Sequence, residues 1–180
     1  MSVNGYVART YGVGGWFRLM CWLAAGVVAY GLWTDHTAAP ETAAPVKVGR
    51  AARAGIPARY LVLYQREGRR YGVPWTVLAA IGKVESDHGR SSAPGVRSGV
   101  NRFGCCAGPM QFNLTNGPPS TWDRYGRGSP YRAADAIAAA ARYLRAAGAR
   151  TDLRRAVYAY NHSWAYVRQV LGLARRYGGR

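Results

Sequence analysis

From Leu19 to Trp33 the chain carries no charge and is almost wholly apolar, and this run divides everything before it from everything after. Trp16, Phe17 and Arg18 extend it on the N-terminal side. It falls short of the ~20 apolar residues of an unambiguous spanning helix. It does suit a signal h-region, or a signal anchor whose Arg18 snorkels to the interface. Arg9 and Arg18 precede the run, and Asp35 and Glu41 follow it. The positive-inside bias therefore puts the N-terminus in the cytoplasm and the chain beyond Trp33 outside. Small-residue sites at Thr37–Ala39 and Thr42–Ala44 are each followed by a proline, Pro40 and Pro45, which makes a poor cleavage junction. The expected topology is a single-pass cell-membrane protein held by an uncleaved anchor over residues 1–33. Secretion after signal cleavage is the alternative. A buried core helix is disfavoured, because nothing nearby in sequence could pack around it.

Residues 34–55 are rich in Ala, Pro, Thr and Gly and show no hydrophobic period, so they read as an exposed linker. Residues 56–180 are then enough for one domain with its own core. The formal charge of +17 comes almost entirely from arginine, since Lys47 and Lys83 are the only lysines. Such a balance favours polyanions. Outside a membrane those are anionic lipids or the acidic polymers of a cell envelope, and no specific nucleic-acid partner is expected.

The domain reads as helical throughout. Pro57 and Pro74 suit first helical turns, where a missing N–H costs little. One helix is expected from Pro57 to Tyr71, ending at Gly72, and a second from Pro74 to His88. Asp135 and Asp152 are expected as N-caps of two more, and a last helix is expected from about Ser163 to Tyr177. No alternating run is long enough to argue for a sheet. The stretch from Gly89 to Pro119 exceeds the usual length of a connection, which marks it as functional or disordered.

In the second helix Leu78, Ile81 and Glu85 share one face, so a carboxylate stands at the end of an apolar stripe. If that face is buried, the carboxyl pKa rises and an acid stays protonated near neutral pH. If the helix rolls slightly, Glu85 is an ordinary solvated residue. The other carboxylates after the linker are Glu67, Asp87, Asp123, Asp135 and Asp152. Glu67 lies among Arg66, Arg69 and Arg70 and is expected to form a solvated ion pair. Asp87 is expected to be exposed. His88 and His162 lack ligand-spaced partners, so no metal site is expected, and neither a Gly-x-Ser-x-Gly elbow nor a Walker-type loop is present. No cofactor is implied.

Three stretches occur in a telling order: Glu85-Ser86, Gly108-Pro109-Met110-Gln111-Phe112, and Ala159-Tyr160-Asn161. In order and spacing they resemble the lytic transglycosylases of the SLT family, which cleave peptidoglycan. Pro119-Ser120-Thr121-Trp122 and the run from Asp135 to Leu144 resemble further pieces of the same pattern. The likeness covers roughly residues 57 to 175. It implies a mainly helical, lysozyme-like fold and peptidoglycan glycan strands as partner. It also implies Glu85 as the catalytic acid, with Ser86, Met110, Gln111, Phe112, Tyr160 and Asn161 around the sugar. For Ser86 and Asn161 a hydrogen bond that merely fastens two helices is an equal alternative.

Two features depart from the family. Asn113 to Pro118 intervene before Pro119, which alters one wall of the expected groove. Cys105 and Cys106 are adjacent, and outside the cytoplasm such a pair either closes to a vicinal disulfide or stays as two buried thiols. The resemblance further implies a mechanism with one glutamic acid. It protonates the bond between N-acetylmuramic acid and N-acetylglucosamine, then takes the proton of the muramoyl 6-hydroxyl as that group closes to a 1,6-anhydro end. A hydrolytic muramidase using Asp87 or Asp123 to position water, and a silent cell-wall-binding module, are the alternatives.

Overall fold

A computed structural model of the chain describes residues 46–179, so the expected anchor and the linker up to residue 45 lie outside the described residues. These fold into a mainly helical domain with one small sheet. The helices are α1 (Arg50–Gly55), α2 (Ala58–Tyr71), α3 (Trp75–Ser86), α4 (Thr121–Tyr125), α5 (Ala133–Ala146), α6 (Leu153–Asn161) and α7 (Trp164–Tyr177). Two strands, β1 (Cys106–Ala107) and β2 (Phe112–Asn113), lie in the connection between α3 and α4 and pair antiparallel, with Ala107 opposite Phe112. Among the described residues no helix is long and apolar enough to cross a membrane.

Local chemistry sets most of the helix ends. Pro57 and Pro74 stand at the N-caps of α2 and α3. Gly72 ends α2 at φ 67°, a left-handed geometry that costs glycine nothing. Asp152 and Ser163 cap α6 and α7 by accepting from the backbone N–H groups of Arg155 and Tyr166.

Helix α3 is the centre of the domain. It packs against α2, α5 and α7, and its run from Val77 to Gly82 is buried on every side. Small residues make this possible. A side-chain carbon at Gly82 would overlap the Tyr64 hydroxyl of α2, and Ala79 and Ala80 let neighbouring helices approach closely. Leu78, Ile81, Ile137, Leu144 and Val170 fill the space between helices, and burying each such side chain contributes ~1.5–3 kcal/mol.

Four expectations need correction. The linker does not run to residue 55: Arg50–Gly55 are helical, Ala52 is fully buried, and the Gly49 N–H donates to the Tyr177 carbonyl at 2.8 Å. Asp135 is not an N-cap. It lies in the first turn of α5, capped by Arg132, and its carboxylate accepts from the Ser129 N–H at 2.9 Å, tying down the preceding turn. Glu67 is buried rather than solvated, because it shares the inner face of α2 with Tyr60, Tyr64 and Gly68. Arg66 reaches over it at 2.6 Å. Finally, the hairpin was not expected, since strands of two residues are too short to show an alternating pattern.

Two glycines separate packing from backbone effects. Gly82→Ala should destabilise the domain by ~1–3 kcal/mol in denaturant titration, because the methyl displaces Tyr64. Gly172, in α7, has only one Arg175 nitrogen near its would-be side chain, at 3.9 Å. Gly172→Ala should instead stabilise by up to ~1 kcal/mol.

Candidate functional site

Glu85 lies in the last turn of α3, where the buried core of that helix gives way to an open cleft. Its Oε1 accepts a hydrogen bond of 2.6 Å from the Tyr166 hydroxyl, which comes from the first turn of α7. Burial raises the Glu85 carboxyl from its ordinary 4.5 to about 7, and the Tyr166 hydrogen bond pulls it partly back by favouring the carboxylate. Burial and the adjoining Glu85 charge raise the Tyr166 pKa as well, so its hydroxyl stays a donor. Of the two readings open at the helix end, the half-buried one holds.

The turn after Glu85 is tightly fastened. Asp87 (φ 52°) and His88 (φ 57°) both adopt left-handed backbone, which side chains other than glycine resist. Three sets of contacts hold them. The Ser86 hydroxyl donates to the Pro109 carbonyl at 2.7 Å and accepts from the Gly89 N–H at 2.8 Å. Asp87 pairs with Lys83 and with Arg90, which hold its carboxyl down at about 2. His88 is buried, with its ring nitrogens 3.0 Å from the Tyr64 hydroxyl and 3.3 Å from that of Tyr177. Desolvation keeps this imidazole neutral, with its pKa lowered to about 4.

The hairpin supplies the facing wall. Its loop is Gly108 to Gln111, and Gly108 (φ 78°) lies so close to the Pro130 carbonyl that a larger residue would overlap it. Gln111 holds φ 47° because its side chain braces the turn: Nε2 donates to the Gly108 carbonyl at 2.9 Å, and Oε1 accepts from Asn101 at 3.2 Å. The Met110 carbonyl accepts from the Tyr160 hydroxyl at 2.8 Å, which joins the hairpin to α6. Phe112 meets Trp122 and Tyr160 edge-on, with ring centroids 5.6 and 6.0 Å apart.

These parts enclose a cleft of about 540 Å³. Glu85, Gln111, Phe112, Tyr160 and Asn161 line it together. Ser86 and Met110 do not. Ser86 is one residue beyond Glu85 on the helix and therefore turns into the protein, while the Met110 side chain is fully buried in the core. Cys105 and Cys106 are joined as a vicinal disulfide at the cleft margin. Glu85 is the only carboxylate lining the cleft among the described residues: Asp87 is spent on its ion pairs, and Asp123 closes a capping box with Ser120 on α4. Among them, no group of three or more His, Cys, Asp or Glu could hold a metal.

Sequence reasoning missed Tyr166, Asn101, Phe103 and Tyr143. A tyrosine three residues after the Ser163 cap was a usable signal for the first, since that spacing faces the helix start back towards Asn161. The others are brought to the cleft by loop geometry and by packing of α5, which no local pattern announces. Comparison with family models, with curated proteins and with solved structures found no match to this chain. The site therefore stands on its own geometry.

That geometry makes stability depend on pH in opposite senses. The raised Glu85 favours the folded state below 4.5, and this stability is lost as pH rises towards 7 and the buried carboxyl must ionise. The lowered His88 favours the folded state above 6.5, and that contribution is lost as pH falls towards 4. Between 4.5 and 6.5 the two slopes oppose each other. In Glu85→Gln only the His88 slope remains. Its stability relative to wild type should grow by on the order of 3 kcal/mol from pH 4.5 to 8, at ~1.4 kcal/mol per unit of pKa shift. Denaturant titration at several pH values measures this. Tyr166→Phe removes the donor that favours the carboxylate, so NMR titration of Glu85 should show its midpoint moving upward from about 7.

Proposed function

We propose that this chain is a lytic transglycosylase of peptidoglycan, with a lysozyme-like arrangement of helices around Glu85. The reading rests on the SLT-like order of motifs in the sequence. The observation that carries it is a single carboxyl, raised to about 7 and held by Tyr166, standing as the one carboxylate in a cleft lined mainly by aromatic and amide side chains. Most glycosidases that use water set a second carboxylate across the bond, and the two candidates for that role in this domain are engaged elsewhere.

In this scheme the protonated Glu85 gives its proton to the glycosidic oxygen as the bond to the muramoyl C1 breaks. The resulting carboxylate accepts the proton of the muramoyl 6-hydroxyl as that oxygen bonds to C1. The ring closes and the acid is restored. The Tyr166 hydroxyl donates throughout and strengthens its bond when Glu85 is charged, so it steadies the intermediate form. Gln111 and Asn161 offer amide contacts to the N-acetyl and hydroxyl groups, and Phe112 and Tyr160 give the cleft an apolar floor. With the N-terminal run as an anchor, the domain would work on the outer face of a cell membrane.

Glu85→Gln should abolish release of 1,6-anhydromuramic ends from purified peptidoglycan, lowering the rate by at least the ~10²–10⁴-fold typical of general acid–base catalysis. Wild-type activity should fall as pH rises through about 7, where the acid is lost. Asp87→Asn and Asp123→Asn should keep most of it. Mass spectra showing only reducing muramic ends would assign the site to a hydrolase instead.

A further inference from the structure

A second concave face lies around α4 from the cleft. It has a volume of about 560 Å³ and is lined by Arg70, Tyr71, Tyr125, Arg142, Arg145 and Ala146. None of these carries negative charge, and among the described residues none of the three arginines has a carboxylate within 4.0 Å. Glu67, one turn before Tyr71 on α2, pairs with Arg66 instead. The face is also built rather than loose. Arg142 donates from Nε to the Tyr125 carbonyl at 2.7 Å and from Nη1 to the Tyr71 hydroxyl at 3.2 Å. Its remaining nitrogen, Nη2, is buried and has no partner. Arg145 donates to the Tyr71 carbonyl at 3.4 Å, and the Arg70 guanidinium stands 5.4 Å from the Tyr71 ring centre. A fixed, half-buried guanidinium with no counter-charge is costly, and a bound anion offsets that cost.

We propose that this face is a subsite for the carboxylates of the short peptide carried on the glycan strand, an inference that rests on the proposed substrate. Continuity with the cleft favours this anion over a separate polymer. Thr121, at the start of α4, lines the cleft, and Tyr125, at its end, lines the arginine face. Tyr125 meets Tyr143 edge-on at 5.0 Å, and Tyr143 in turn lines the cleft. Five helical residues at ~1.5 Å each make α4 roughly 8 Å long, a distance that about three extended peptide residues cover. A peptide leaving a sugar held in the cleft near Thr121 can therefore lay its acidic groups against Arg70, Arg142 and Arg145.

The test is titration of the full-length chain with a free stem peptide, followed through arginine Nε–Hε resonances. The Arg142 and Arg145 signals should shift and saturate, and the same peptide with its carboxylates amidated should leave them in place. Arg142→Gln should weaken binding about tenfold, the loss of one charge-assisted contact. The double substitution Arg70→Gln/Arg145→Gln, at exposed positions, should do likewise and keeps the test decisive should Arg142→Gln fail to fold. Peptide-free glycan strands should be cleaved equally by wild type and by that double variant. No shift, an equal shift with the amidated peptide, or a response to a phosphodiester polymer alone would overturn the assignment. Peptide binding does not require cleavage. A chain that binds the peptide here and releases no anhydro ends would lose the proposed chemistry and keep the subsite, and a chain that cleaves without binding would show the reverse.

Discussion

The hydrogen bond from Tyr166 to Glu85 joins the two helices on which the site depends. Helix α7 lies along α3, and only that packing brings a phenol from the last helix to a carboxyl in the third. Two effects of opposite sign meet at this contact. Withdrawal of water raises the carboxyl pKa, and the phenol lowers it, so the group settles at about 7. With burial alone the acid would hold its proton too firmly to act as a base. With solvation alone it would have lost the proton well below neutrality. The rest of the core keeps α3 and α7 at the spacing where both effects operate.

Much of the helical frame was legible because its signals are local. Pro57, Gly72, Pro74, Asp152 and Ser163 each act through backbone geometry or a single cap. Gly72, Asp152 and Ser163 stand where the sequence put them, and the two prolines stand at the N-caps, just before the first turns expected for them. Asp135 shows the limit of such reading: an acid near a helix start is equally at home in the first turn, and the choice was made by Ser129, which needed an acceptor. Glu67 shows another. Its arginine neighbours in sequence suggested solvent, yet Tyr60 and Tyr64, seven and three residues before it on α2, turn that face inward.

The site was legible in part, for the same reason. Glu85, Gln111, Phe112, Tyr160 and Asn161 share one cleft, whereas Ser86 and Met110 face the protein interior. Both of those hold the wall in place: Ser86 pins the helix end to Pro109, and the Met110 carbonyl takes the Tyr160 hydroxyl. A short motif names residues that belong together without saying which of them face the cleft. Tyr166 lies outside the motifs because the contact that recruits it is made only when the helices assemble.

The hairpin has one rigid side and one open side. At the start of its turn, Gly108 presses on the Pro130 carbonyl, and Ser86 holds Pro109 from below, so an added residue there would part the wall from α3. After β2, the chain from Thr115 to Pro119 is exposed and rests on Asn113, whose side-chain oxygen accepts from the N–H groups of Thr115 and Asn116. That segment can lengthen or shorten while Glu85 and Gln111 keep their places. A lineage could therefore reshape the mouth of the cleft by varying one loop whose changes never reach the acid.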